Sequence, residues 1–300
     1  MKRISSAGSV GKSCDLTITN IPAISAIYYA LLQGGYEYYP LDRDHAHADV
    51  IQSFAHGSRA LPFFDGARQQ SCDVYAYWPR AALLETAAFY LHPDFSGFAD
   101  VEGFRRQVLS AGNIAPAEKG PAFWDWVKDF PAVLRDVMQR SDFLDYLAWE
   151  NQWIARQNEI YRGDLMQLEE SLRACADAYQ SPVRHVRIVL SAIKCVYASD
   201  YHWTADGFLF SSGAFRMDSV LHEFLHHVVH PIVLQHSQVI LSQKRTYSGL
   251  DASYNLSDSP QGHLNAFEEH LVRSLTAKLL PGVSPPDINA ALMECLAERR

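Results

Sequence analysis

No stretch of this 300-residue chain approaches 18 consecutive apolar residues, so no membrane-spanning helix is expected. No Lys/Arg-rich stripe is present either. With 26 basic against 34 acidic residues the formal net charge is −8, which argues against nucleic acid or an anionic membrane as the main partner. Cysteine is scarce: Cys14, Cys72, Cys175, Cys195 and Cys295 are odd in number, far apart and never at metal-ligand spacing. That excludes a disulfide framework and suits reduced thiols. After Met1-Lys2-Arg3 the chain runs through Ser, Gly and Lys with no hydrophobic signal core, so the expected location is the cytoplasm. Internal repeats and low-complexity segments are missing as well. Gly8-Ser9-Val10-Gly11-Lys12-Ser13 has the letters of a phosphate-binding loop. Its glycines stand two residues too close together, and only seven residues precede it, too few for the strand such a loop follows.

What the chain does have is 48% hydrophobic and 12% aromatic content, enough to bury a substantial core. The patterning predicts an α+β protein, mostly helical, with a small mixed or antiparallel sheet. Leu16-Thr17-Ile18-Thr19 alternates like a short strand, and helices are expected over Ile24–Leu32, Ala81–Tyr90, Phe123–Met138 and Leu165–Tyr179. Phe130-Pro131 should interrupt the third of these. Beyond Ser181-Pro182 the character changes. Val186–Ile193 and Gly207–Ser211 read as strands, and the 206–211 segment is the candidate sheet edge. The expected organisation is a helical lobe over 1–180 and a metal-binding lobe over 181–300, closely packed or forming one domain. Trp78, Trp124, Trp126, Trp149 and Trp153 are expected in the core, and His45 and His47 on an exposed turn.

The chemistry-bearing motif is His222-Glu223-Phe224-Leu225-His226. Residues four apart share a helix face, so two imidazoles can grip one metal ion. Glu223, roughly 100° round the helix from His222, brings a carboxylate beside that ion as a general base. Asp218 and Ser219 offer an N-cap, and Val220, Leu221, Phe224, Leu225, Val228 and Val229 are spaced for a buried face. The plainer alternative is a core helix with solvent-facing histidines.

Two ligands are too few. No His-x-x-Gly-x-x-His follows His226, so a glutamate from a later helix is the better source of a third ligand. In Asn265–Leu275, Asn265 suits an N-cap and Glu268 its capping-box partner, which leaves Glu269 for the metal and Arg273, one turn on, to hold it. Two ordinary first-turn acids would look the same. His230 is a rival ligand if Pro231 bends the helix, since two straight turns span about 11 Å.

The 220–231 stretch Val-Leu-His-Glu-Phe-Leu-His-His-Val-Val-His-Pro and the helix Glu269-His270-Leu271-Val272-Arg273 resemble an uncharacterised bacterial family of gluzincin-type zinc metallopeptidases, catalogued as a domain of unknown function. Asp49-Val50-Ile51-Gln52-Ser53-Phe54 and Asp73-Val74-Tyr75-Ala76 look similar too. The resemblance implies a zinc hydrolase with a glutamate third ligand and brings no substrate with it. The expected mechanism places Zn2+ on His222, His226 and Glu269, with water in the fourth position and Glu223 as base, acting on a peptide or protein. Tyr254 is the preferred oxyanion donor, ahead of Tyr247 and His263. A zinc hydrolase of a non-peptide amide, and a non-catalytic protein stabilised by its metal, are the alternatives.

Overall fold

The structure, a computed structural model, describes residues 16–33, 45–55, 73–75, 78–80, 82–91, 102, 124–125, 128–181, 183, 185–196, 199–203, 207–243, 260–279 and 284–297. The phosphate-loop-like segment at 8–13 lies outside them. Strand β1 (Ile18–Thr19) leads into helix α1 (Pro22–Gln33). Proline at the first helical position costs no hydrogen bond. Every residue of α1 after Pro22 is buried, so this apolar-all-round helix sits inside the core. Helix α2 (His45–Ala55), the antiparallel pair β2 (Asp73–Tyr75) and β3 (Trp78–Arg80), and helix α3 (Ala82–Leu91) follow.

The break expected at Phe130-Pro131 falls at the turn of Lys128 and Asp129 just before them, and Phe130 and Pro131 begin helix α4 (Phe130–Gln139), where the missing proline N–H is harmless. Helices α5 (Ser141–Ile160) and α6 (Arg162–Ala178) complete the helical half. Gln180, at φ 50°, then reverses the chain through bonds from Gln180 N to Asp177 O and from Ser181 N to Ala176 O. Trp124 and Trp153 are buried and Trp149 packs against the core.

The four-stranded sheet draws on both sides of residue 180. Its order is β1, β4 (His185–Leu190), β6 (Gly207–Ser212), β5 (Ser199–Trp203). β1–β4 and β4–β6 are parallel; β5–β6 is antiparallel. The 206–211 segment is therefore not an edge. All six residues of β6 are buried, as an inner strand requires, and β5 is outermost. Alternation along β5 sends Asp200 and His202 to one face and Tyr201 to the other. At the end of β6, a Cβ on Gly213 would sit 2.0 Å from the Lys194 carbonyl oxygen, so only glycine passes that turn.

Directly after it comes α7 (Met217–Gln235), then α8 (Ser237–Gln243), α9 (Pro260–Lys278) and α10 (Ile288–Ala297). The architecture is mostly helical with a small mixed sheet, an α+β arrangement. Helix α7 serves two cores. Val220, Leu221 and Phe224 join the sheet-side cluster, whereas Leu225, Val229 and Val233 pack with Leu264, Phe267, Leu271 and Leu275 of α9 and with Leu292 of α10. Burying one helix on two sides fixes its rotation, and with it the direction of its histidines. Among the described residues no helix is long and apolar enough to cross a membrane.

Candidate metal centre

Helix α7 begins differently from the reading of its sequence. Arg216, in extended backbone, is the N-cap residue without a side-chain cap bond, and Asp218 stands inside the first turn, 3.1 Å from Arg216. An acid there still complements the helix dipole. Pro231 is accommodated within the helix, which continues to Gln235.

Helix α9 starts at Pro260, not at Asn265. Asn265 is an interior residue whose side chain accepts from Gln261, and no capping box forms with Glu268. Glu268 and Glu269 are instead two consecutive buried acids, 8% and 3% exposed, within an otherwise apolar face. Buried carboxylates require partners. Most of those partners come from α7.

His222 Nε2 and His226 Nε2 stand 3.1 Å apart, and Glu269 Oε2 lies 3.4 Å from the first and 3.3 Å from the second. Three electron-pair donors thus point at one spot. A tetrahedral ion with ligands at about 2.0–2.1 Å requires ligand–ligand edges of about 3.3–3.4 Å. Two edges of the observed triangle have that size and the 3.1 Å edge between the imidazoles is slightly shorter, so the residues present fit a zinc ion. Among the described residues His222, His226 and Glu269 form the group able to hold a metal.

The surrounding atoms aim this triangle. Arg273 Nε donates to Glu269 Oε1 at 2.7 Å, which leaves Oε2 to face the imidazoles. Glu268 Oε1 lies 2.8 Å from His226 Nδ1, and its Oε2 lies 2.7 Å from His230 Nδ1. Glu268 is indeed occupied, but by histidines rather than by a helix end. His230 faces Glu268 through Nδ1 and stands outside the triangle, so it is not the third ligand.

Charge follows geometry. Burial pushes the His226 pKa down, but hydrogen bonds to Glu268 and Glu269 and the nearby Glu223 charge outweigh it and raise it to about 10. Burial works against the charge on Glu269, yet His222 and His226 hold its carboxyl well below the usual range. Glu268 is lowered in the same way by His226 and His230. The hydrogen bond to Glu268 raises His230, whereas burial alone lowers His227. Three carboxylates, Glu223, Glu268 and Glu269, gather around His226, so with the imidazoles neutral and Arg273 opposed to them the group is negative and favours a cation.

Glu223 is half-buried on α7 beside His222. Tyr247 and Tyr254 lie outside the described residues. His263 lies within α9, six residues before Glu269 and about 9 Å along the helix from it. Tyr201, unmarked by any motif, presents its ring to His226 with centroids 6.2 Å apart and planes at 16°. The alternation of β5 next to the motif helix was its only signal. His47 is not on an exposed turn: it lies in α2, half-buried against Trp149 and Trp153.

Behind β5 lies a second polar cluster that sequence gave no means of assembling. Lys194, 1% exposed, donates to Glu85 at 2.6 Å, to Asp200 at 2.7 Å and to Ser211 at 3.1 Å. Tyr28 OH also donates to Glu85, and His202 bridges Glu85 at 3.0 Å and Thr86 at 2.9 Å. Comparison with protein-family models, curated proteins and solved structures finds no match.

Proposed function

We propose that this protein is a zinc-dependent metallopeptidase of the gluzincin type, with α7 as its active-site helix. The observation that carries the reading is the triangle of His222 Nε2, His226 Nε2 and Glu269 Oε2, with edges of 3.1–3.4 Å. A zinc ion bound there supplies a Lewis acid that polarises a carbonyl and acidifies water towards neutral pH. His222 and His226 bind through Nε2, and Arg273 keeps Glu269 turned towards them. A carboxylate oxygen of Glu223 takes the proton of the attacking water and returns it to the leaving amine. The half-buried imidazoles support catalysis over a closed structural site, because substrate must reach them. Peptide substrates follow from the resemblance of the motif helices. The cytoplasm is the location that goes with this reading, and the free thiols of Cys175, Cys195 and Cys295 suit it.

The test is Glu223→Gln. Elemental analysis should give one zinc per chain in both proteins, while turnover of a fluorogenic peptide library falls by about 10²–10⁴-fold in the variant. Turnover retained in the variant refutes the role of Glu223. Wild-type protein that carries zinc yet cleaves no peptide refutes the substrate class.

A further inference from the structure

A histidine that binds metal through Nε2 must keep its hydrogen on Nδ1, and the group that accepts that hydrogen sets the tautomer and the plane of the ring. Here the acceptor is Glu268 Oε1, 2.8 Å from His226 Nδ1. A carboxylate held at one oxygen can still rotate about its last bond. Held at both, its plane is fixed. The second hold on Glu268 is His230 Nδ1, 2.7 Å from Oε2. His226 and His230 are one turn apart on α7, so the carboxylate of α9 spans two adjacent turns of its neighbour.

We propose that His230 is a positioning residue of the metal centre, acting through Glu268, whose two oxygens it and His226 share. This rests on the metal-binding reading above. His230 touches no ligand triangle atom; it fixes the carboxylate that fixes His226. The His-x-x-x-His-x-x-x-His spacing is then two ligands followed by the anchor of their support. The side chain of His230 is 45% exposed, so its replacement removes little core packing.

The experiment measures zinc affinity of the full chain by competition with a chromophoric chelator, and the Co2+ absorption spectrum of the same proteins. His230→Ala removes the donor. His230→Asn restores it, because the asparagine amide nitrogen stands close to where Nδ1 was. Supporting groups of this kind change metal affinity by about 10–100-fold, and we expect about tenfold weaker zinc binding for His230→Ala. His230→Asn should stay within about threefold of wild type, well inside that range. The Co2+ spectrum should be the same in all three, since the ligands are unchanged. His230→Gln, whose amide nitrogen stands nearer the Nε2 position, gives the same contrast if the alanine variant does not fold. Unchanged affinity in His230→Ala overturns the inference, even if metal-free stability falls. An altered Co2+ spectrum overturns it too, by making His230 a ligand. Wild-type protein that takes up no stoichiometric zinc overturns the metal reading itself, and this inference with it.

Discussion

Glu269→Gln removes one charge and one ligand while keeping the side chain's size, and its effect can be worked from the site. Glu269 is 3% exposed and supplies one corner of a three-cornered site. Zinc held by four protein ligands binds with about 10–16 kcal/mol, so one ligand accounts for about 3 kcal/mol, about a hundredfold in affinity. Thermal unfolding reads this directly. Zinc at about 100 times its Kd stabilises the folded chain by about 2.7 kcal/mol. An unfolding entropy of about 2.1 cal/mol/K per residue gives about 0.6 kcal/mol/K for a chain this long, and hence a rise in Tm of about 4 °C. At the same zinc concentration the variant sits near its own Kd and gains about 0.4 kcal/mol, less than about 1 °C. The measurement compares chelator-stripped and zinc-loaded samples of each protein, so any change in metal-free stability cancels. A zinc-dependent shift in Glu269→Gln as large as in wild type refutes the assignment of the third ligand.

Two further predictions concern stability away from the metal. Lys194→Met leaves Glu85 and Asp200 buried without their cation and should cost about 3–5 kcal/mol, seen as a lower urea midpoint; a loss below about 1 kcal/mol means the cluster is not held by that ion pair. Asp142 is pushed up by burial, but hydrogen bonds from Arg140, Gln33 and Tyr29 outweigh this and hold its carboxyl well below the ordinary 3.8. Its stabilisation is therefore present above that value and lost as pH falls through the lower folded one. Unfolding midpoints of Asp142→Asn should be flatter than wild type below about pH 4, and parallel curves would contradict the shift.

Much of the candidate site was legible because its chemistry is local. The spacing of His222 and His226, and of Glu269 and Arg273, is a property of one helix each, fixed by 3.6 residues per turn. The helix limits were less so. Asn265 has the right side chain for a cap, but Pro260 starts α9 earlier and packing of Leu264 against α7 and α8 overrides the cap signal. The expectation that Glu268 is occupied selected Glu269 for the wrong reason, since the occupants are on another helix. The sheet edge was misplaced for a similar cause. No strand is expected from sequence at Ser199–Trp203, and β6 lies inside because that strand, β5, pairs with it on one side and β4 on the other. His47 was read from its neighbours in the chain, whereas its surroundings are the tryptophans of α5, about 100 residues away.

From its letters alone this chain determined two amphipathic helices, one carrying two histidines and the other a Glu–Arg pair, each at a spacing that the helical period turns into a shared face. It also determined a composition that fills a core without crossing a membrane through any described helix. Tertiary structure decided which atoms meet. The rotation of α7 between two cores, the antiparallel β5 at the sheet margin, the sharing of Glu268 by His226 and His230, and the burial of Lys194 among Glu85, Asp200 and Ser211 all join residues of different elements. Such pairings are settled by how helices and strands pack, and packing energy is a sum over the whole fold that no short window of residues contains.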